Sequence, residues 1–328
     1  MSKVSYAMAA AGLAACLTGL QARAQSTVSV YGVVGTQLVY ASGATTLKKL
    51  DANSIAAQRL GFKGSEDLGG GLKAFFGLEA GLSPDTGAAS TPFWGRGSFV
   101  GLSGDFGKIS FGRQWNLNDD FMCGLYVCGG YAAFYNFAGL GNTSDLVNNA
   151  VKYVTPTIAG FTGGVMAAPG EGSSGKYTSA LGTYSVGTLS LGASIDSQAN
   201  LAGRKDELTV LGAKYGFGDA FVRGAYVSAK SDASALGKAS AYDLGAGYAF
   251  TPAASLSLDY VTLDRKNSPN DAQFLRLVGE YKLSKRTSFN GNLITLKNKG
   301  TSTVALAGGT VKPGGKQNVI TFGLATSF

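Results

Sequence analysis

The chain has 328 residues and a formal net charge of +8, with 49 Gly, 7 Pro and no His. Hydrophobic residues make up 45% of it and aromatic residues 11%, which excludes a disordered chain, and the absence of a Gly-X-Y period excludes collagen. No linker-like change in composition divides the sequence, so we predict a single domain.

Residues 1–24 are typical of a signal peptide. Lys3 provides the positive charge, residues 7–20 are apolar and small, and Ala22-Arg23-Ala24 predicts cleavage after Ala24. A competing lipobox-like tetrapeptide, residues 13–16, would instead lead to lipidation of Cys16, and in either case the chain is exported. Removal of residues 1–24 leaves 26 basic and 20 acidic residues, a net charge of +6, in the predicted domain 25–328.

Most of the remaining sequence alternates between apolar and polar residues. In residues 319–328, for example, Ile320, Phe322, Leu324 and Phe328 share one parity, and the other parity is mostly small or polar. A period of two predicts strands with one apolar face. No apolar run after residue 25 approaches the ~20 residues of a membrane-spanning helix, but a barrel strand needs only ~9–11 residues of alternating polarity.

The connections between these strands alternate between short and long. The short ones carry Gly, Pro, Asp, Ser or Lys, as turns do. They are 65–70, 104–107, 155–160, 186–188, 216–219, 251–254 and 283–285. The long ones are 42–52, 83–92, 115–145, 170–175, 198–205, 231–238, 264–269 and 298–316.

This alternation predicts an all-β, antiparallel, up-and-down transmembrane barrel of about 16 strands. A barrel of about 16–18 strands leaves an aqueous channel, so the polar parity would line a lumen. Aromatic residues of the apolar parity near strand ends, such as Tyr248, Phe250 and Tyr281, are typical of the girdles at a membrane interface.

Several segments resemble the general porins of Gram-negative bacteria, of the beta-proteobacterial type. They are residues 58–74, 29–33, 99–107, 112–114 and 147–153, together with the terminal Phe328. The resemblance implies a 16-stranded homotrimeric barrel in the outer membrane, in contact with its lipids and lipopolysaccharide. It also implies that the third extracellular loop folds into the lumen and that Phe328 is read by the outer-membrane assembly machinery.

The resemblance further implies a pore constriction in which wall arginines oppose acidic groups of the inward loop. The wall candidates are Arg59, Lys63, Arg96 and Arg113. Parity supports Arg59 and Lys63, because Leu60 and Phe62 belong on the lipid side. Alternation places Arg96 and Arg113 on the outward, apolar parity, so each would need a bulge or a strand end to face the lumen.

The acidic candidates of the inward loop, 115–145, are Asp119, Asp120 and Asp145. This loop departs from the family pattern because it is unusually apolar and contains Cys123 and Cys128. In an exported protein we expect a disulfide that closes this short loop and narrows the pore. Two reduced thiols are the alternative; a metal site lacks ligands.

The predicted function is passive diffusion of small hydrophilic solutes and ions, with a modest anion preference. An adhesin or receptor barrel is the alternative. Without His the chain has no Ser-His-Asp triad or Cys-His pair, so we predict no enzyme and no cofactor. The basic residues form no stripe with aromatic stacking, so no nucleic-acid partner is predicted.

Overall fold

The computed structural model describes residues 26–127, 144–172, 175–232 and 237–328. The predicted signal peptide, its cleavage site after Ala24 and Cys128 lie outside the described residues.

The described residues form sixteen long strands and two short ones, β2 and β5, and one short π-helix. The strands are β1 (Thr27–Ser42), β2 (Leu47–Ala52), β3 (Arg59–Gly69), β4 (Leu72–Ser83), β5 (Ala88–Ala89), β6 (Gly97–Gly104), β7 (Gly107–Trp115), β8 (Leu146–Val154), β9 (Phe161–Ala168), β10 (Tyr177–Val186), β11 (Leu189–Ala199), β12 (Lys205–Phe217), β13 (Ala220–Ser231), β14 (Lys238–Ala249), β15 (Ala254–Arg265), β16 (Ala272–Lys282), β17 (Thr287–Asn298) and β18 (Lys316–Ser327). The π-helix spans Asn118–Met122.

The long strands pair antiparallel in chain order and the sheet closes on itself. β1 pairs with β18 from Val33–Ser327 to Ser42–Asn318. At the end of the chain, Phe328 N–H donates to Gly32 O at 3.1 Å and Gly32 N–H donates to Phe328 O at 3.2 Å. Closure leaves no unpaired edge, as a sheet in hydrocarbon requires. The predicted 16-stranded barrel is confirmed.

The two short strands belong to long connections. β2 pairs with the second half of β1, from Thr36–Ala52 to Ala41–Leu47, while β3 pairs with the first half. β5 pairs with the end of β4. Both therefore extend the barrel wall locally without adding to the ring.

The apolar parity of the strands lies on the outside of the barrel. Leu244 is 65% exposed, Phe322 57% and Val30 55%. Such surfaces would be costly in water but match the hydrocarbon of a bilayer. Phe161 and Tyr184 are paired near one end of the barrel, with ring centroids 4.3 Å apart, as expected of an aromatic girdle. In the described part of the chain, no helix has the length and hydropathy needed to span a membrane.

The two ends of the barrel differ as the sequence predicts. Short turns lie at one end of the barrel, here called the turn end. They join β3 to β4, β6 to β7, β8 to β9, β10 to β11, β12 to β13, β14 to β15 and β16 to β17. The β12–β13 turn, for instance, has only Gly218 and Asp219 between the strands, and Gly218 has a φ of 61°, which favours glycine. Long connections lie at the other end, and the longest joins β7 to β8.

Candidate functional site

Register places Arg59 on the inner face of the barrel. Arg59 lies opposite Val33 on β1, two positions from the Tyr31–Gly61 pair. Residues directly opposite one another share a face, and the other parity of β1 is the exposed apolar one. Tyr31 OH donates to Glu79 Oε2 at 2.8 Å across this inner face. The parity argument for Arg59 and the register therefore agree.

Arg96 also reaches the inner wall, because it precedes β6 and so escapes the alternation of that strand. Its backbone N–H donates to Glu79 O at 3.0 Å, and its Nε donates to Glu79 Oε1 at 2.7 Å. The guanidinium lies 5.0 Å from the centroid of the Trp115 ring, a favourable cation–π distance. The start of β6 at Gly97 is thus the strand start that an inward-facing Arg96 needs.

Arg113 lies on the outward parity of β7. It pairs with Ser98 and follows Phe111, which pairs with Val100. The irregularity near Gly112 places its extra residue in β8, where Asn149 has a φ of 55°, so β7 itself keeps its alternation. Arg113 Nε donates to Gly95 O at 2.7 Å and its Nη1 to Asn148 Oδ1 at 2.6 Å. This register does not support the wall position predicted for Arg113.

Lys63 lies on the inner wall between Arg59 and the turn end, and the inward-facing cations of β3–β7 are here called the basic wall. It pairs with Gly77 and Ser29, on the same face as Arg59, and it is exposed. Its Nζ lies 5.1 Å from the centroid of the Tyr31 ring. Lys73 on β4 and Lys108 on β7 follow on the same inner face and were not among the predicted site residues.

The third long connection, residues 116–145, begins with the π-helix and carries the predicted acidic residues. The carboxylate of Asp120 forms an ion pair with the ammonium of Lys152 on β8. Lys152 Nζ also donates to Trp115 O at 3.0 Å. Burial raises the pKa of Asp120, and Lys152 opposes that rise. The partner of Asp120 is thus a lysine rather than one of the predicted arginines.

Asn116 holds the two ends of this connection together. Its backbone N–H donates to Asp145 O at 2.7 Å, and its Oδ1 accepts the Asp119 N–H at 2.7 Å.

Burial, with a smaller contribution from Asp119, raises the pKa of Tyr126 well above its ordinary value. Cys123 is disulfide-bonded. The predicted Cys123–Cys128 pairing stays a prediction, because Cys128 lies outside the described residues.

Residues 117–127 pack against the inner face of the strands that follow. A Cβ added at Gly192 would lie only 2.5 Å from Met122 Sδ. A Cβ added at Gly212 would lie 2.9 Å from Leu125 Cβ. The neighbour Leu211 is 48% exposed on the outer face, so the two glycines face inward. Glycine at these positions permits the close approach of the segment.

A cluster of buried charges lies where residues 126 and 127 meet the wall. Arg223 on β13 and Asp259 on β15 form an ion pair, with Arg223 Nε donating to Asp259 Oδ1 at 3.1 Å. Asp243 on β14 accepts the Val127 N–H on Oδ2 at 2.7 Å, and Arg223 Nη1 donates to Tyr126 O at 3.4 Å. Asp243 and Asp259 are 0% exposed.

Arg276 on β16 completes this cluster, which we call the latch cluster: Arg223, Asp243, Asp259 and Arg276. Arg276 pairs directly with Asp259 in the register, and its Nε donates to Asn292 Oδ1 at 3.0 Å. The sequence prediction missed these four residues. A usable signal existed, because each is a charged residue on the polar, lumen-facing parity of its strand, such as Asp243 between Tyr242 and Leu244.

Residues 53–58 form a second segment that contacts the inner wall, and its contacts are neutral. Asn53 Nδ2 donates to Asn290 Oδ1 at 2.8 Å, and Ser54 Oγ donates to Gln37 Oε1 at 3.0 Å. Asn292 Nδ2 donates to Ser54 Oγ at 3.3 Å. The segment thereby ties β1 to β17 beside the β1–β18 junction, directly before Arg59.

Within the described ranges, no group of three or more His, Cys, Asp or Glu side chains is arranged to hold a metal ion.

Comparison with known proteins places these features in a family context. The profile of the Gram-negative porins matches residues 7–301. Outer membrane porin protein 32 of Delftia acidovorans is 34% identical over 320 residues, covering 90% of this chain and 91% of that protein. The major outer membrane protein P.IA of Neisseria meningitidis serogroup C is 39% identical over 119 residues, 36% of this chain and 30% of that protein.

Among solved structures, the anion-selective porin from Comamonas acidovorans superposes with a TM-score of 0.84 at 30% identity, covering 93% of this chain and 100% of that one. The trimer form of OmpT, an outer membrane protein of Vibrio cholerae, superposes with a TM-score of 0.73 at 19% identity, covering 92% and 99%, and shares the fold.

Proposed function

The chain belongs to the Gram-negative porin family and is an outer-membrane channel for passive diffusion of small hydrophilic solutes, and we propose that this channel prefers anions. One observation carries the proposal. The inner wall of β3–β7 presents Arg59, Lys63, Lys73 and Lys108 to the lumen, and the ion pairs of the described residues include none of them.

The charge balance of the lumen explains how selection would occur. Of the lumen carboxylates near this wall, Glu79 and Asp120 are already paired with Arg96 and Lys152, which leaves only Asp67, opposite Lys73, among the described residues to set against the four cations. The surplus is therefore positive, and the low-dielectric barrel wall concentrates its field on a passing ion. The anion selectivity in the name of the Comamonas acidovorans relative supports the same preference here.

The narrowing element in this proposal is the third long connection, folded into the lumen. Its support is the packing of Met122 and Leu125 on inward-facing glycines and the bond from Val127 N–H to Asp243. The latch cluster would hold residues 126 and 127 against β13–β15, opposite the basic wall. Solutes would then pass between this segment and Arg59 and Arg96, where size exclusion and the surplus charge act together.

Loss of the latch should widen the channel. In Asp243→Ala the Val127 N–H loses its acceptor, whereas Asp243→Asn keeps an acceptor oxygen. We expect larger and noisier single-channel conductance in the alanine variant than in the asparagine variant. Equal conductance in wild type and both variants would contradict this role of Asp243.

Assembly is also part of the proposal. A trimer is supported by the shared fold with a protein solved in trimer form. Phe328 is 52% exposed at the turn end, accessible as an assembly signal, and the apolar outer face would contact outer-membrane lipids, including lipopolysaccharide. We propose no catalytic step for this chain.

The test of anion preference is the reversal potential of the reconstituted protein in a KCl gradient across a planar bilayer. We expect the sign set by chloride. A sign set by potassium would overturn the proposal. Conductance that closes in three equal steps would support the trimer.

A further inference from the structure

A cavity of about 810 Å³ lies against the inner wall of β4, β6, β7 and β8, between Arg96 and the turn end. We call it the turn-side pocket. Two features of its lining stand out for a water-filled channel: two phenylalanine rings point into it, and unpaired lysines border it. Its lining includes Lys73, Phe75, Phe99, Ser103 and Lys108.

The rings of Phe75 and Phe99 form an apolar floor. Phe75 lies over Gly101 and Phe99 over Gly77, since a Cβ at either glycine would be 2.5 Å from the ring tip. The ring centroids are 6.4 Å apart with an interplanar angle of 69°. Both side chains share the inward face, because Val100 on the other parity is 57% exposed to the outside. Partly exposed rings in water gain by contact with an apolar ligand.

Lysines lie at the turn-end side of this floor in one row of the sheet. Lys73 pairs with Ser103, and Ser103 pairs with Lys108. Since neighbouring strands are about 4.8 Å apart, the lysine Cα atoms are about 10 Å apart, and both side chains can reach one anion above Ser103. Each lysine is exposed, so neither charge costs desolvation before a ligand arrives.

Carboxylates of the protein leave these lysines available. Asp67 lies opposite Lys73 and its carboxylate accepts the Gly69 N–H at 2.9 Å, but the ion pairs of the described residues include neither Lys73 nor Lys108. The segments outside the described residues contain no Asp or Glu. The row therefore leaves both ammonium groups free to bind a ligand anion.

We propose that the turn-side pocket is a binding subsite for aromatic monocarboxylates, with the ligand ring on Phe75 and Phe99 and its carboxylate between Lys73 and Lys108. The inference rests on the proposed anion channel and deepens it. Inorganic anions would use the lysines but gain nothing from the rings. Neutral aromatic solutes would use the rings but leave the lysines unpaired. Binding must stay weak enough for release, as conduction requires.

The experiment compares benzoate with acetate as blockers of chloride current through the reconstituted protein. We expect benzoate to block at about tenfold lower concentration than acetate, the ratio that ~1.4 kcal/mol of ring contact gives. Phe75→Ala and Phe99→Ala should raise the half-blocking concentration of benzoate several-fold and leave that of acetate unchanged. Lys73→Gln and Lys108→Gln should weaken both blockers.

Phe221 provides a matched control on the opposite wall. It is an inward-facing ring over Gly247, and Lys214 Nζ lies 4.6 Å from its centroid. Phe221→Ala should leave benzoate block unchanged. Phe99→Leu, which keeps apolar bulk, serves if an alanine variant fails to assemble, and it should lose part of the benzoate preference.

The outcomes separate the two proposals. A chloride-signed reversal potential with equal block by benzoate and acetate would overturn the subsite and leave the anion channel standing. Loss of benzoate preference in Phe221→Ala but not in Phe75→Ala or Phe99→Ala would overturn its location. A potassium-signed reversal potential would overturn the anion channel and the subsite with it.

Discussion

On β13–β16, next to residues 126 and 127, the lumen wall carries two arginines and two aspartates whose formal charges cancel; Asp243, Asp259 and Arg276 are almost fully buried and Arg223 is partly buried. On β3–β7 the same wall carries Arg59, Lys63, Lys73 and Lys108, which face the lumen and form no ion pair with the described residues. The residue types are alike, but the first group is covered by chain and the second by water.

The difference separates structural charges from charges that act on solutes. A buried ion is tolerated only when partners replace its hydration, so the latch cluster must be balanced and closed. A lumen-facing lysine stays hydrated, so it needs no partner and can attract an anion. Net charge alone therefore does not locate the selective wall; burial and pairing do.

Breaking the latch cluster should have the largest effect. Asp259→Ala removes the ion-pair partner of Arg223 and the carboxylate opposite Arg276 in the register. We expect a loss of about 3–5 kcal/mol in unfolding free energy, measured by urea denaturation of the barrel in detergent or lipid. Glu79→Ala is the matched control on the other wall. Its partner Arg96 can hydrate from the lumen, so a loss of about 1 kcal/mol is expected. Equal losses would remove the distinction between the two walls.

Neutralising a lumen-facing cation should change selectivity instead of stability. A unit charge about 8 Å from a passing ion in water contributes ~0.5 kcal/mol, favourable for chloride and unfavourable for potassium, so Arg59→Gln should lower the chloride-to-potassium permeability ratio about fivefold. Reversal potentials measure the ratio. Lys285→Gln, in the β16–β17 turn, is the control for charge away from the inner wall and should change it less. A greater effect at Lys285 would contradict a selective role for Arg59.

Acidification should increase anion preference through Asp120. Burial raises the pKa of Asp120, so this group takes up a proton at a higher pH than an ordinary aspartate as the pH falls. Protonation removes the negative partner of Lys152 and adds one positive charge to the lumen. Asp120→Asn should already show the higher preference at neutral pH and lack this pH step. An identical pH profile in wild type and variant would assign the titration to other carboxylates.

The smallest effect is expected from the disulfide of Cys123. Its predicted partner Cys128 closes a loop of only a few residues, which constrains little chain. Reduction should raise conductance noise slightly in wild type and change nothing in Cys123→Ser. Reductant effects of equal size in both proteins would exclude the disulfide as the cause.

Sequence reasoning reached the strands, their number, the two kinds of connection and the inward face of Arg59. Each rests on a local pattern: side chains alternate in any strand, so Leu60 and Phe62 fix where Arg59 points. The same reasoning raised an objection to Arg113, and the register of β7, which keeps its alternation, agrees with that objection. It could not decide which way Arg96 points. Arg96 faces inward because β6 starts only at Gly97, and where β6 starts depends on its pairing with β4.

The latch cluster and the turn-side pocket could not be read from the chain in this way. Asp243 is 116 residues from Val127, and Lys73 and Lys108 meet through Ser103 on the strand between them. Such neighbours depend on register and on where the third long connection packs, which are properties of the closed barrel. Which side chains face lipid and which face the lumen can be read from the chain alone, because alternation is local. Which lumen charges are buried against one another and which stay open to solutes depends on the closed barrel, because pairing and burial are set by contacts between distant strands.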